Sequence, residues 1–178
     1  MTWNEIIKQK LEPALQECQL HKRRLDYALD KLRGNLPLTA AHWISLDDQT
    51  VTHIDQLRFR YSRLQDAMGQ RLFPAILHLA GEWRDNEAFI DKLNHLEKFG
   101  AIPASEEWNQ IRMIHNCMTN EYPDAPEQNS ENLNFLVDSI SSLENTLTQA
   151  ETFAKNLATR VTTRRRNNED PRFHIARS

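Results

Sequence analysis

The amino-acid sequence predicts an all-α protein. Apolar residues recur at three- and four-residue steps over long stretches, only four glycines occur in 178 residues, and the alternating apolar and polar runs of a β-protein are missing. A length of 178 residues with 39% hydrophobic and 26% charged residues suits one globular core. The expected organisation is a single helical-bundle domain over residues 1–161, up-down and antiparallel with about five helices, followed by a basic, flexible tail over 162–178.

The first helix is expected from Thr2 to Arg33, where Trp3, Ile7, Leu11, Ala14, Cys18, Leu25, Leu29 and Leu32 form an apolar stripe and Gly34 then Pro37 end it. Pro13 removes a backbone donor inside it, which predicts a kink near Lys10 to Pro13 or two shorter helices. The run Lys22-Arg23-Arg24 reads as a solvated face, with phosphate contact as the alternative. After a loop over Asn35 to Gln49, a second long helix carries Val51, Ile54, Leu57, Tyr61, Leu64, Met68, Leu72, Ile76 and Leu79 on one stripe. Gly69 costs it about 1 kcal/mol relative to alanine, a cost offset if another helix or subunit approaches closely there. Pro74 should bend or end this helix a few residues later.

A short third helix is expected within Asn86 to Phe99, stopped by Gly100. Pro103 and Ser105, with Glu106 and Glu107 at the positive helix start, open a fourth that must end before Pro123. From Ser130, the positions Leu133, Leu136, Ile140, Leu143, Leu147, Ala150, Ala154, Leu157 and Val161 form a seam at alternating steps of three and four. Its flanks are Ser, Asn and Thr instead of complementary charges, so packing against the first helix is expected in preference to a free coiled coil. Beyond it, Arg164, Arg165 and Arg166 are candidate nucleic-acid contacts, although charge runs are usually solvated.

Several function classes are disfavoured. A net charge of −3 argues against a general polyanion binder, because such affinity comes from many Lys and Arg contacts to phosphate. The apolar runs fall far short of the roughly 20 residues that span a bilayer. Cys18 and Cys117 lack CxxC spacing, which fits free thiols in a reducing cytoplasm. Neither a metal-ligand cluster nor a Gly-rich phosphate loop is present, so no metal and no cofactor is expected.

The fourth helix carries the sequence's most informative cluster, IRMIHNCMTNEYPD over Ile111 to Asp124. At 100° per residue, Trp108, Ile111, His115, Met118 and Tyr122 share a face, and Arg112, Asn116 and Asn120 form a polar ridge beside it. The bland reading makes Arg112 and Asn116 surface residues, Asn120 a helix-closing residue and His115 a hydrogen-bonded core histidine. The sharper reading makes the ridge part of a site.

Three blocks, LRFRYSRLQDAMGQRLFPAIL (Leu57 to Leu77), FIDKLNHLEKFGAIPASEEWNQIR (Phe89 to Arg112) and HNCMTNEYPD (His115 to Asp124), resemble the HEPN proteins of prokaryotes. The resemblance covers roughly Val51 to Leu147, and rests on Phe59, Arg60, Leu64, Gln65, Asp66, Met68, Gly69, Phe73 and Pro74, then Leu93, Leu96, Glu97, Glu107 and Trp108. It implies a homodimeric helical bundle encoded beside a minimal nucleotidyltransferase in a toxin-antitoxin-type pair. Arg60, Gln65, Asp66 and Gly69 then become candidates for the dimer or partner interface.

Active members of that family resemble metal-independent ribonucleases with a motif of Arg, four to six residues, His, one residue, Tyr. Here the Arg position is His115 and the His position Asn120, while Asn116, Glu121, Tyr122, Pro123 and Asp124 agree. Asparagine has no proton that titrates near neutral pH, and loss of a general acid or base costs about 10²- to 10⁴-fold in rate. An imidazole, at best partly protonated as a residue type, also replaces a permanent guanidinium. The expectation is therefore a non-catalytic binding partner of the nucleotidyltransferase. One alternative is a divergent endoribonuclease using Arg112 and His115, and RNA is a possible ligand on that account. A second is a helical scaffold that binds nucleic acid through its basic tail. Tyr122 matches the family's position for nucleotidyl transfer by the partner.

Overall fold

The computed structural model describes residues 1–117 and 122–169, the last six of these by backbone alone. It is all-helical, with no strand among the described residues. Six helices follow one another among the described residues.

Helix α1 runs over Trp3–Ile6, a π turn at Ile7–Leu11, and Glu12–Leu32. A capping box opens it: the Thr2 hydroxyl accepts from the Glu5 amide at 3.3 Å, and the Glu5 carboxylate accepts from the Thr2 amide at 2.7 Å. Helix α2, Ala40–Ile44, lies inside the segment expected to be a loop. Five residues are too few to show a period, and only the Thr39 hydroxyl accepting from the His42 amide marks its start. Helix α3 runs over Asp48–Ala67, a π turn at Met68–Leu72, and Phe73–Ala80. The Asp47 carboxylate caps it by accepting from the Thr50 amide at 2.6 Å, a bond that holds its pKa below the usual carboxylate value.

Both prolines are absorbed in the same way. In an α-helix the ring of Pro13 would strike the carbonyl four residues back. Instead, the preceding residue Glu12 donates its amide five residues back to Ile7, and Phe73 ahead of Pro74 does the same to Met68. The wider turn makes room for each ring. Pro74 therefore does not end its helix, which continues to Ala80 and stops at Gly81 in the left-handed region, φ 76°. Of the two outcomes expected near Pro13, a kink or two shorter helices, the division does not occur: the helix continues through a π turn at Ile7–Leu11. The two π turns pack against each other.

Helices α4, Phe89–Lys98, and α5, Ser105–Cys117, join across Gly100, whose φ of 74° is left-handed. Helix α6 spans Pro126–Glu169, 44 residues, and so runs beyond residue 161 into the segment expected to be a flexible tail. The side chains of Arg164, Arg165 and Arg166 lie outside the described set.

Helix α1 packs along α3, while α2 and α5 pack on α6. His21 meets Arg60 and Glu17 meets Arg63, so partner numbers fall on α3 as they rise on α1. Lys22 with Glu144 and Gln19 with Glu151 give the same antiparallel sense between α1 and α6. The buried apolar residues form one continuous cluster including Leu25, Leu57, Leu64, Leu72, Trp108, Leu136 and Leu143. Trp3 and Val51, expected on the buried stripes, are 44% and 40% exposed in the first turns of their helices. No described helix is long and apolar enough to cross a membrane.

Both cysteines are free, with Cys18 buried and Cys117 exposed. Burial pushes the Cys18 thiol up to about 12, with Glu151 and Glu17 adding to the effect. Iodoacetamide at pH 8 should therefore modify Cys117 in the folded protein, leaving Cys18 untouched until denaturant is added. Mass spectrometry of the alkylated chain checks this, and labelling of both thiols without denaturant would contradict the packing.

Candidate functional site

Helix α5 is anchored at its start by Glu97 of α4, whose carboxylate accepts from the Ser105 amide at 2.8 Å. That hydrogen bond to a free amide holds the Glu97 pKa below its ordinary value. One turn on, Trp108 is wholly buried and meets Phe73 edge to face, ring centroids 4.6 Å apart. Its indole then lies over Gly69: a Cβ there would sit 3.3 Å from Cζ2 of Trp108 and 3.9 Å from Cζ of Phe89. The close approach expected at Gly69 is thus made within the chain, by a side chain of α5. The Trp108 indole nitrogen is buried without a hydrogen-bond partner, so the ring is held by packing alone.

This contact sets α5 beside α3 and opens a groove of about 310 Å³ between them. Gln65, Asp66, Gly69 and Gln70 of α3 line it together with Arg112, His115 and Asn116 of α5 and Phe89 of α4. The Arg112 guanidinium sits 5.2 Å from the centre of the Phe89 ring, a cation-π contact of about 0.5–1 kcal/mol at an exposed site. Gln70 donates to the Asp66 carboxylate at 3.4 Å. A second, apolar pocket of about 200 Å³, with Phe73, Pro74, Leu77, Trp83, Lys92 and Leu96, shares Gly69, Gln70 and Phe89 with the first.

The structure sorts the sequence candidates into three places. Gln65, Asp66 and Gly69 join Arg112, His115 and Asn116 in the groove. His115 is half-buried at its edge, not enclosed in the core. Arg60 lies elsewhere, on the α1 side of α3, where its guanidinium donates to Nδ1 of His21 at 3.1 Å. Asn120 falls outside the described residues, as do Met118 and Glu121. Tyr122 is 44% exposed, and its backbone is pinned on both sides by Asn129: the Tyr122 amide donates to Oδ1 at 3.2 Å, and Nδ2 donates to the Tyr122 carbonyl at 2.7 Å. Asn134 clamps Leu38 in the same manner, at 2.9 and 2.8 Å. Two asparagines near the start of α6 thus fix two connecting segments.

Gln70, Phe89 and Asn129 were not read as site residues from sequence. Phe89 looks like an ordinary stripe position and Gln70 like a surface one; Asn129, before the seam, gives no periodic signal. Chemically the groove offers amide donors and acceptors, one fixed cation, one imidazole and one carboxylate. That set suits polar recognition, with His115 and Asp66 as the lining groups able to exchange a proton. Among the described residues no group of three or more His, Cys, Asp or Glu is arranged to hold a metal ion. Comparison with protein-family models, curated proteins and solved structures returns no match for this chain.

Two substitutions probe the construction. Gly69→Val pushes a branched side chain into the Trp108 ring and should cost about 1–3 kcal/mol by overpacking, read as a lowered thermal midpoint. Asn129→Ala leaves the Tyr122 backbone groups without their partner. It should cost about 1–3 kcal/mol and speed amide exchange at Tyr122, measured by hydrogen-deuterium exchange; unchanged exchange there would show that the clamp holds nothing.

Proposed function

We propose that the chain is a HEPN-like helical protein, homodimeric, that binds a minimal nucleotidyltransferase in a prokaryotic toxin-antitoxin-type pair and carries a degenerate ribonuclease site. One observation supports this reading above the others. The polar residues of the three sequence blocks that carry the resemblance, Gln65 and Asp66 from the first and Arg112, His115 and Asn116 from the other two, line a single groove although about fifty residues separate them.

The residue types in that groove favour binding over turnover. Phosphodiester cleavage through a 2′-hydroxyl needs a proton acceptor and donor near the reacting oxygens and a fixed cation at the phosphate. Arg112 supplies a cation and His115 one titratable group, but the motif position that should hold the histidine is Asn120. The pair Arg112 and His115 lining one groove is also the observation that favours the second reading, a divergent metal-independent endoribonuclease.

Incubation of the purified chain with a defined RNA in chelator separates the two. The binding reading expects no cleavage that depends on His115; cleavage by the parent chain that disappears in His115→Ala would establish the enzyme instead. For the partner, size-exclusion chromatography with the nucleotidyltransferase encoded by the neighbouring reading frame should give a complex. Arg112→Glu, which reverses the groove's fixed charge, should weaken it at least about tenfold, and failure of the parent chain to form any complex would remove the pairing.

A further inference from the structure

The run Lys22-Arg23-Arg24 is divided by the fold, and its parts meet different partners. Lys22 turns toward α6, where its ammonium lies 2.9 Å from Asp26 and 2.8 Å from Glu144. Arg24, exposed, lies one turn beyond His21 on α1. His21, Arg60, Arg63 and Arg71 gather with Glu17 at the seam of α1 and α3: His21 Nε2 is 3.7 Å and Arg63 3.9 Å from the Glu17 carboxylate, and Arg71 is hydrogen-bonded to it.

We propose that Arg24, Arg60 and Arg63, presented from α1 and α3 at this seam, form a binding site for a phosphate-type oxyanion, separate from the α3/α5 groove and independent of the function proposed for it. None of the three lines that groove.

The argument rests on how Arg60 is held. Its guanidinium donates to Nδ1 of His21, and a nitrogen that accepts from arginine carries no proton. Burial, then the neighbouring Arg60, holds His21 below its ordinary pKa, which agrees with a neutral ring. The imidazole therefore positions Arg60 without cancelling its charge. Among the described residues no carboxylate lies within 4.0 Å of Arg60 or Arg24, and the Arg60 Nε is buried without a hydrogen-bond partner. Burial, then Arg24 and Arg63, lowers the Arg60 pKa, as expected for cations held close together. Among the described residues Glu17 is the one carboxylate paired with the cluster, hydrogen-bonded to Arg71 and 3.9 Å from Arg63.

Four guanidiniums against one carboxylate leave an excess of about three positive charges on a protein whose net charge is −3. Guanidiniums bind carboxylates and phosphates through the same planar fork. Three of them arriving from two helices match a tetrahedral dianion, which accepts from several directions, better than a flat carboxylate with two oxygens.

The test uses the full chain and two probes, inorganic phosphate and a fluorescein-labelled single-stranded RNA 12-mer. Arginine Nε-Hε resonances are followed during phosphate titration, and anisotropy reports the RNA. Arg24→Gln, which removes an exposed residue with no carboxylate within 4.0 Å among the described residues, and Arg60→Gln should each weaken at least one probe by about tenfold, while Lys155→Gln should not. If phosphate alone saturates the site, the ligand is a small oxyanion. If the RNA binds with a steep salt dependence and the same variants weaken it, the source is a phosphodiester backbone. Variants that leave both affinities within about twofold, or no binding of either probe up to about 10 mM phosphate, overturn the proposal. Circular dichroism of each variant confirms that the fold is intact, and the Arg24→Gln result stands even where Arg60→Gln unfolds.

Discussion

The groove depends on one close approach, that of the Trp108 ring to the bare α-carbon of Gly69. A Cβ at Gly69 would sit 3.3 Å from the indole, so even the smallest side chain requires the Trp108 ring to give way, and with it the spacing between α3 and α5 on which the groove is built. Gly69 in turn lies in the π turn at Met68–Leu72, and that turn stands just ahead of Pro74. A ring that cannot fit an α-helical turn, a widened turn that admits it, and a glycine within that turn form one sequence of causes. Van der Waals packing does the rest, since the indole nitrogen of Trp108 makes no hydrogen bond.

The same economy of contacts appears in the charged residues. Helix α1 carries two polar stripes flanking its buried one: Gln19, Lys22 and Asp26 face the carboxylates Glu144 and Glu151 of α6, whereas Glu17 and His21 face the arginines of α3. The first stripe sets one ammonium, that of Lys22, among the carboxylates Asp26, Glu144 and Glu151, and its hydrogen bonds tie two antiparallel helices together. The second carries the opposite excess, because an imidazole takes the place a carboxylate would normally fill beside Arg60. Exposed ion pairs add little stability on their own, so the second stripe is better understood by the field it leaves than by the energy it contributes.

Much of the fold is legible in the chain's apolar period. Leu25, Leu57, Leu64, Leu72, Leu93, Leu96, Leu133, Leu136, Leu143 and Leu147 are buried as their spacing implies, because a three- and four-residue step places side chains on one face whatever that face later meets. Helix α2 was illegible, since one and a half turns show no period. The prolines were legible in part: a sequence shows that an α-helical turn must yield at Pro13 and Pro74, but not whether it yields by breaking or by widening. The outcome depends on neighbours, and here the two widened turns pack against each other.

The candidate site divides along the same line. That Arg112, His115 and Asn116 lie on or beside one ridge follows from residue spacing along a single helix, and the chain determined it without help. That this ridge faces Gln65 and Asp66, that Arg60 turns the other way toward His21, and that Asn129 holds Tyr122 depend on residues 7 to 51 positions apart in the chain. Periodicity describes each helix against its own axis and carries no information on which helix lies opposite. Only tertiary packing decided that, through the volume of an indole, the absence of a Cβ at Gly69 and the hydrogen bonds of a few buried polar side chains.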